Sequence, residues 1–413
     1  MPARSPNLVG RSFRVRRPDR HSIKHIQHKG NNMQFQLHKV LEKALEHNAL
    51  PSVIAYNRID GPGSSLDLRE FQQALWSLPH IPKNMRADSP MEWTRKLPRT
   101  IGISIDIGTK IESHPFSPDL IGVRSLEYGT EVIAKPGEVP PTKENWLLKI
   151  LDVFGLSGVM FVLRNLRAGT QSAGLGGSAT ATIGVCLLAN ELVGRPLSKT
   201  QLISMASRME QDLGVSITGT QEQSNVVFGG VTDYVWFPWG IPGHPETGYG
   251  KSLRFELIPP KDYRELEQRI TIFHCGHVRP STDVNSVWRN ALATPEGYRL
   301  HMKKPEIAYQ FREGLRLRKW DQVFESIQRY RKIRTVLCPA YMNGAKEILG
   351  RAEAKGCTAF PLGAGGGGGI LVFSVEPESL QALREDLCNI YREIPLKIKA
   401  RGHELINLPI EWR

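Results

Sequence analysis

No stretch of about 18 apolar residues occurs anywhere in the 413-residue chain, which argues against a membrane-spanning helix. No secretory signal pattern is visible either. Cysteine is scarce: Cys186, Cys275, Cys338, Cys357 and Cys388 make an odd number and contain no CxxC pair. That count argues against a disulfide framework and against structural zinc, and it reads as a reducing, cytoplasmic compartment. Most of the five sit in apolar runs, where Cys behaves as a small hydrophobe. Acid is lacking at the N-terminus. Residues 1–33 hold eight basic side chains and one acid, Asp19, so this segment carries +7 of the chain's net +13. Residues 1–32 also lack apolar periodicity and read as a disordered basic leader. A nucleic-acid or anionic-lipid arm, an organellar transit peptide, a dispensable leader and an upstream start with Met33 as the true start all fit this composition. The remaining excess is modest and suits a protein that handles phosphates. Outside the leader neither nucleic acid nor membrane is expected as a partner.

What is present is ordinary for a globular protein: 40% hydrophobic and 23% charged residues, in a chain long enough for two domains. The expected division is the leader, an N-terminal domain at 33–245 and a C-terminal domain at 246–413. Residues 33–48 pattern as a helix. "PSVIAYNRID" reads as a strand, followed by a Gly/Pro/Ser turn and a helix start at Asp67. Ile101, Ile103, Ile105 and Ile107 alternate with period two, the signature of a strand. "LIGVRSLEYGTEVIAK" reads as a strand pair, "TKENWLLKILDVFGLSG" as an amphipathic helix and "VMFVLRNL" as a buried strand. "SATATIGVCLLANELVG" is apolar on several faces and reads as a buried helix. A helix capped by Ser198 follows, and "GTQEQSNVVFGGVTDYVWF" reads as loop and strand. Residues 252–260 and 270–276 read as strands, 303–355 as mostly helix, and "EPESLQALREDLCNIYREI" as a last helix. Tyr234, Trp236, Phe237 and Trp239 are expected in the core rather than as a sugar platform.

Chemistry concentrates in "AGLGGSATA", Ala173 to Ala181. A glycine loop running into a helix leaves backbone N–H groups unpaired at the positive end of the helix dipole, and such an end binds anions. The other use of small residues is close packing of the helix start on a sheet. No Lys-Ser/Thr pair follows the glycines, so the loop is not a Walker A loop. A second helix where a Rossmann unit needs a strand argues against a dinucleotide fingerprint. Downstream stand Glu210, then Glu222 twelve residues later, then a second glycine run, Gly363–Gly369, between apolar runs. A phosphate loop, two spaced carboxylates and a further glycine turn make a phosphoryl-transfer set. "HCGHVRPSTDV" holds His274 and His277 without the further paired ligands a metal site needs.

In this order the motifs resemble those of the kinases named for galactokinase, homoserine kinase, mevalonate kinase and phosphomevalonate kinase (GHMP). The nearest branch is the D-glycero-D-manno-heptose 7-phosphate kinase and L-fucokinase-like sugar kinases. The resemblance covers about Ser52 to Glu376. "AGLGGSATA" is similar to the second motif, "GCTAFPLGAGGGGGILVF" to the third, and "NRIDGPGSSLD" more loosely to the first. "ASRMEQDLG…GTQEQSNVVFGG" is similar to the branch's helix Glu followed by G-x-Q-D-Q.

The resemblance implies an α+β two-domain GHMP kinase-like fold, with a ribosomal S5 domain 2-like N-terminal domain and a ferredoxin-like C-terminal domain. It implies ATP and Mg²⁺ as cofactors and a small-molecule sugar or sugar phosphate as substrate, phosphorylated at the anomeric hydroxyl. Gly174, Leu175, Gly176, Gly177, Ser178 and Ala179 would wrap the ATP phosphates, and Ser178 with Glu210 would hold Mg²⁺. Glu222 stands where the family has its catalytic Asp, and Arg58 would neutralise charge near the transferred group. Asp67, Gln221, Arg279, Gly365 and Gly366 would contact substrate, with Ser281 beside Arg279. Asp67 could instead cap a helix, and Arg279 could instead be a surface side chain. Asp212 and Asp233 are expected to be structural. Three departures stand out. Glu222 is one methylene longer than Asp, Gly177 replaces a serine, and Pro62 removes an N–H from the first loop. They leave room for a GHMP-fold ligand-binding or regulatory protein without turnover. A kinase of the family acting on a non-sugar alcohol is a further alternative, and the choice between monomer and homodimer stays open.

Overall fold

The computed structural model describes residues 49–76, 93–170, 173–237, 252–276, 281–363, 365 and 368–409. The basic leader, the helix expected at 33–48, Trp239, His277, Arg279 and Gly366 lie outside these residues. Among the described residues no helix is long and apolar enough to cross a membrane.

The first sheet has eight strands. They are β1 (Ala49–Asp60), β2 (Arg99–Pro115), β3 (Ile121–Ser125), β4 (Thr130–Ala134), β5 (Val159–Asn165), β6 (Val231–Trp236), β7 (Ser252–Ile258) and, from the far end of the chain, β12 (His403–Pro409). The order is β12-β1-β2-β5-β3-β4, with β6 and β7 extending from the N-terminal part of β2. β2 is 17 residues long, so its two halves can serve different neighbours. Thr109–Pro115 pairs with β5 and Arg99–Ile103 with β6. Its alternating isoleucines at 101, 103, 105 and 107 are buried, as period two predicts for one covered face. Both β7 and β12 lie beyond residue 245, so this sheet takes strands from either side of the expected domain division.

Helices α2 (Trp146–Val153) and α3 (Gly177–Leu192), with residues 221–228, pack on this sheet, and α4 (Lys199–Asp212) packs outside them. α3 is buried along nearly its whole length, as its composition predicted. It packs close because Gly184 faces Ala55 and Ile111; a Cβ there would stand 2.6 Å from Ile111 Cδ1. Ser198 caps α4 in a capping box with Gln201. One reading fails. Residues 221–228, expected as loop and strand, form helix α5 (Gln221–Phe228). Its N-terminus is held from a distance rather than by its own preceding residue, since Gln221 N donates to Asp67 Oδ2 at 3.0 Å.

The second sheet is antiparallel, in the order β11-β8-β10-β9. Its strands are β8 (Ile270–His274), β9 (Thr358–Pro361), β10 (Gly369–Phe373) and β11 (Arg392–Ile394). The remaining helices are α1 (Arg69–Trp76) after the first motif, then α6 (Tyr263–Glu267), α7 (Ser281–Leu292), α8 (Pro295–His301), α9 (Lys304–Leu317), α10 (Trp320–Leu337), α11 (Lys346–Ala354) and α12 (Pro377–Leu387). One hydrophobic core joins the two lobes. It contains Ile101–Ile107 of β2, Phe311 and Leu315 of α9, Ile327 of α10 and Leu371 of β10. Asp233 sits between Arg99 and Arg312, each at 3.2 Å, and so ties β6, β2 and α9 together as a structural acid. Asp212 is exposed at the end of α4. Tyr234, Trp236 and Phe237 are fully buried core.

Candidate active site

The two glycine runs, nearly 200 residues apart in sequence, meet backbone to backbone. Gly174 has φ +71° and Gly363 φ +60°. A Cβ on Gly174 would lie 2.8 Å from Leu362 O, and one on Gly363 would lie 2.9 Å from Gly174 O. Both the left-handed backbone and the contact therefore require glycine. Behind them Gly369 N donates to Ala173 O at 3.0 Å.

The carbonyls of the first loop turn into the protein. Arg58 Nη1 donates to Gly174 O at 3.1 Å and Arg58 N to Leu175 O at 3.4 Å. The N–H groups from Gly174 to Ala179 meet no acceptor among the described residues. Gly176, at φ +76°, is the N-cap of α3. The loop thus presents its donors, together with the positive end of a 16-residue helix, on one side. That side is a cleft of about 750 Å³. A side chain at Gly177 would meet nothing within 4 Å.

Glu210 is fully buried and points at the helix start. Ser178 Oγ donates to its Oε1 at 2.7 Å, Thr182 Oγ1 to the same oxygen at 3.3 Å, and Gln223 Nε2 to Oε2 at 2.8 Å. Burial pushes its carboxyl up to about 7 despite these donors. A buried carboxylate beside a hydroxyl, both hard oxygen donors, fits a magnesium ion at the mouth of the phosphate loop. A dication would relieve the cost of ionising that acid.

On the other side of the loop, Arg58 leaves a bulge between Tyr56 and Arg58 of β1. The side chain is buried, and Nη2 forms an ion pair with Glu222 Oε1 on the first turn of α5. Its Nη1 also reaches Asp60 Oδ1 at 3.3 Å. Asp60 in turn accepts from Ser64 Oγ, and from Gly363 N at 2.9 Å. The first motif is thereby tied to both glycine loops. Glu222 keeps 20% of its side chain exposed to the cleft. It also packs on the first loop, since a Cβ on Gly176 would sit 2.9 Å from Glu222 Cγ.

Asp67 lines the cleft but is committed to capping α5. Burial first, and the Glu222 charge second, push its carboxyl up to about 7. Gln221 also lines the cleft, while its Nε2 donates to Ile101 O at 3.3 Å. Gly365 stands at the same end of the cleft with φ +98°.

The opposite end of the cleft was not foreseen in the sequence. Val123 and Val132 of the β3–β4 hairpin, Leu163 of β5 and Trp146 of α2 line an apolar pocket beside the phosphate loop. Trp146 is fixed by its Nε1 donating to Thr182 Oγ1 at 3.0 Å. Three strands and a helix supply these residues singly, so no local motif announced them. Lys304 and Arg334, buried behind the part of the cleft lined by Ser65, Trp288 and Gly365, were also missed.

Comparison with known proteins follows this geometry. Residues 150–230, which contain the loop, Glu210 and Glu222, match the family model described as "GHMP kinases N terminal domain". No curated protein matches the chain. Among solved structures, a Lin0012 protein from Listeria innocua has TM-score 0.65 at 15% identity, over 86% of this chain and 99% of its own. A D-glycero-D-manno-heptose 1-phosphate kinase from Bacteriodes thetaiotaomicron has TM-score 0.59 at 15% identity, over 87% of this chain and 99% of its own. The Streptococcus pneumoniae phosphomevalonate kinase in complex with phosphomevalonate and AMPPNP has TM-score 0.59 at 14% identity, over 86% and 99%. The sugar branch and the isoprenoid branch are thus matched equally well, and the fold does not choose between them. Residues 150–230 thus match the N-terminal domain of the GHMP kinases, and the chain shares the two-domain α+β fold of these solved structures.

Proposed function

We propose that this chain is a cytoplasmic, Mg²⁺- and ATP-dependent kinase that transfers the γ-phosphoryl group to a hydroxyl of a sugar or sugar phosphate, at the anomeric position. The observation that carries the reading is the unpaired row of N–H groups from Gly174 to Ala179, which faces the same cleft as Arg58 and Glu222. In this reading the two lobes are residues 33–245 and 246–413, with β7 and β12 of the second contributing to the first sheet.

The amides at the start of α3 bind the triphosphate, and the apolar pocket of Val123, Val132, Leu163 and Trp146 takes the base. Ser178 and Glu210 hold the magnesium ion, which supplies positive charge to the phosphates. Glu222 orients the acceptor hydroxyl and takes its proton as the new P–O bond forms. Arg58 fixes the Glu222 carboxylate and offsets charge on the phosphoryl group in transit. Asp67 holds α5, and so Glu222, in register. The extra methylene of Glu222 is accommodated by its contact with Gly176, which leaves room for the longer side chain.

ADP release over a panel of sugars, sugar phosphates and non-sugar alcohols tests the assignment. Glu222→Asp withdraws the carboxylate by about 1.5 Å from Arg58 and the acceptor, and the expected loss in turnover is on the order of 100-fold. Nucleotide affinity should change little. Binding of Mg·AMPPNP without ADP release on any acceptor would instead make the chain a ligand-binding protein on a kinase fold. Release on a non-sugar alcohol alone would move it out of the sugar kinases.

A further inference from the structure

Two basic side chains stand behind the acceptor end of the cleft with no carboxylate paired to them among the described residues. Lys304, in the first turn of α9, is fully buried. Its Nζ lies 3.8 Å from the Trp288 ring centroid, 3.2 Å from Ser65 Oγ and 3.4 Å from Ser64 O. Arg334, on α10, is 1% exposed. Its guanidinium is 5.4 Å from the same Trp288 ring, and Nη2 donates to Gly363 O at 3.1 Å. Its Nη1 is buried without a partner, as is the hydroxyl of the neighbouring Tyr330.

The acid of that corner, Asp60, is occupied by Arg58, Ser64 and Gly363 N. Burial and the nearby Arg334 charge hold the Lys304 amine well below its usual range. A buried cation without a counter-charge is costly, and a pair of them more so. The wall between this pair and the cleft is thin. Ser65, Trp288, Gly363 and Gly365 line the cleft, and a Cβ on Gly365 would lie 2.5 Å from Arg334 Nη2. Gly365 thus packs directly on that guanidinium and parts it from the cleft by a single backbone layer. Ser65 is held at φ +74°, an uncommon conformation for a non-glycine residue, and its hydroxyl faces Lys304.

We propose that Lys304, Arg334 and Ser65 form a seat for a phosphate already carried by the acceptor, so that the substrate is a phosphorylated small molecule rather than a neutral one. The assignment of an acceptor rests on the kinase reading above; the anion seat itself does not. A lysine amine that regains its proton beside an anion, and a guanidinium with a spare N–H, supply charge-assisted donors that suit a phosphate monoester.

The test uses the full chain saturated with Mg·AMPPNP, so that the phosphate loop is filled, and titrates inorganic phosphate calorimetrically. Binding is expected. It should weaken by at least about tenfold in Lys304→Met and in Arg334→Met, the loss of a charge-assisted hydrogen bond. The Mg·AMPPNP affinity should be unchanged in both variants. No phosphate binding, or binding that both variants retain, overturns the proposal. Should the methionine variants fail to fold, Ser65→Ala and wild-type ADP release on matched pairs of sugars and sugar phosphates decide it. Phosphorylated acceptors are then expected to give the higher kcat/KM, and parity with the neutral sugars counts against the seat. Phosphate binding at Lys304 and Arg334 without ADP release on any acceptor would remove the kinase reading and leave the seat standing.

Discussion

Asp67 shows how far a single residue's environment departs from its surface state. It is 4% exposed, and burial with the Glu222 charge moves its carboxyl from 3.8 to about 7. The folded value therefore lies above the unfolded one. The fold is favoured by the neutral acid, and that contribution is complete below about pH 4 and lost as the pH rises through 7. Asp67→Asn keeps an oxygen to accept from Gln221 N and removes the ionisation. Its melting temperature should exceed that of the wild type at pH 8, with the advantage shrinking towards pH 4. A constant offset across that range would contradict the account. The acids and Arg58 could be singled out in the sequence because each matches a position in the kinase motifs that the chain resembles. Lys304 and Arg334 could not. They are two of 54 basic residues on helices where such side chains ordinarily face water, and only burial singles them out.

At the scale of elements, the glycines of one loop have different duties. Gly174 must be glycine for its backbone angle and for its contact with Leu362. Gly177 opens α3 with free space around it. Gly174→Ala should cost about 1–3 kcal/mol, while Gly177→Ala should stabilise the helix by about 0.5–1 kcal/mol. Urea unfolding of the two variants measures both, and equal losses would mean that the loop is not built as described. Long periodic elements such as β2 and α3 were readable from their patterns alone. The eight-residue α5 was not, because it is short, mostly polar, and stabilised at its start by Asp67 from more than 150 positions away. β12 was missed for a similar reason: its pairing with β1 is a relation between the two ends of the chain.

Across the whole molecule, long-range backbone contacts build the site. The two glycine loops touch each other, Asp60 holds the second one through Gly363 N, and the core runs unbroken from β2 into α9 and α10. The lobes meet at the cleft where, in the proposed reaction, phosphates, acceptor and Glu222 converge. This convergence explains why four short motifs in the right order could indicate the fold, while the base pocket and the cationic corner could be seen only in three dimensions. The account depends most on the row of unpaired amides at the start of α3. A crystal structure of the full chain with Mg·AMPPNP tests it directly. The predicted result is phosphate oxygens within hydrogen-bonding distance of the N–H groups between Gly174 and Ala179, with the metal between Ser178 and Glu210. A nucleotide bound away from that loop, or a loop whose amides are satisfied by protein groups, would contradict it.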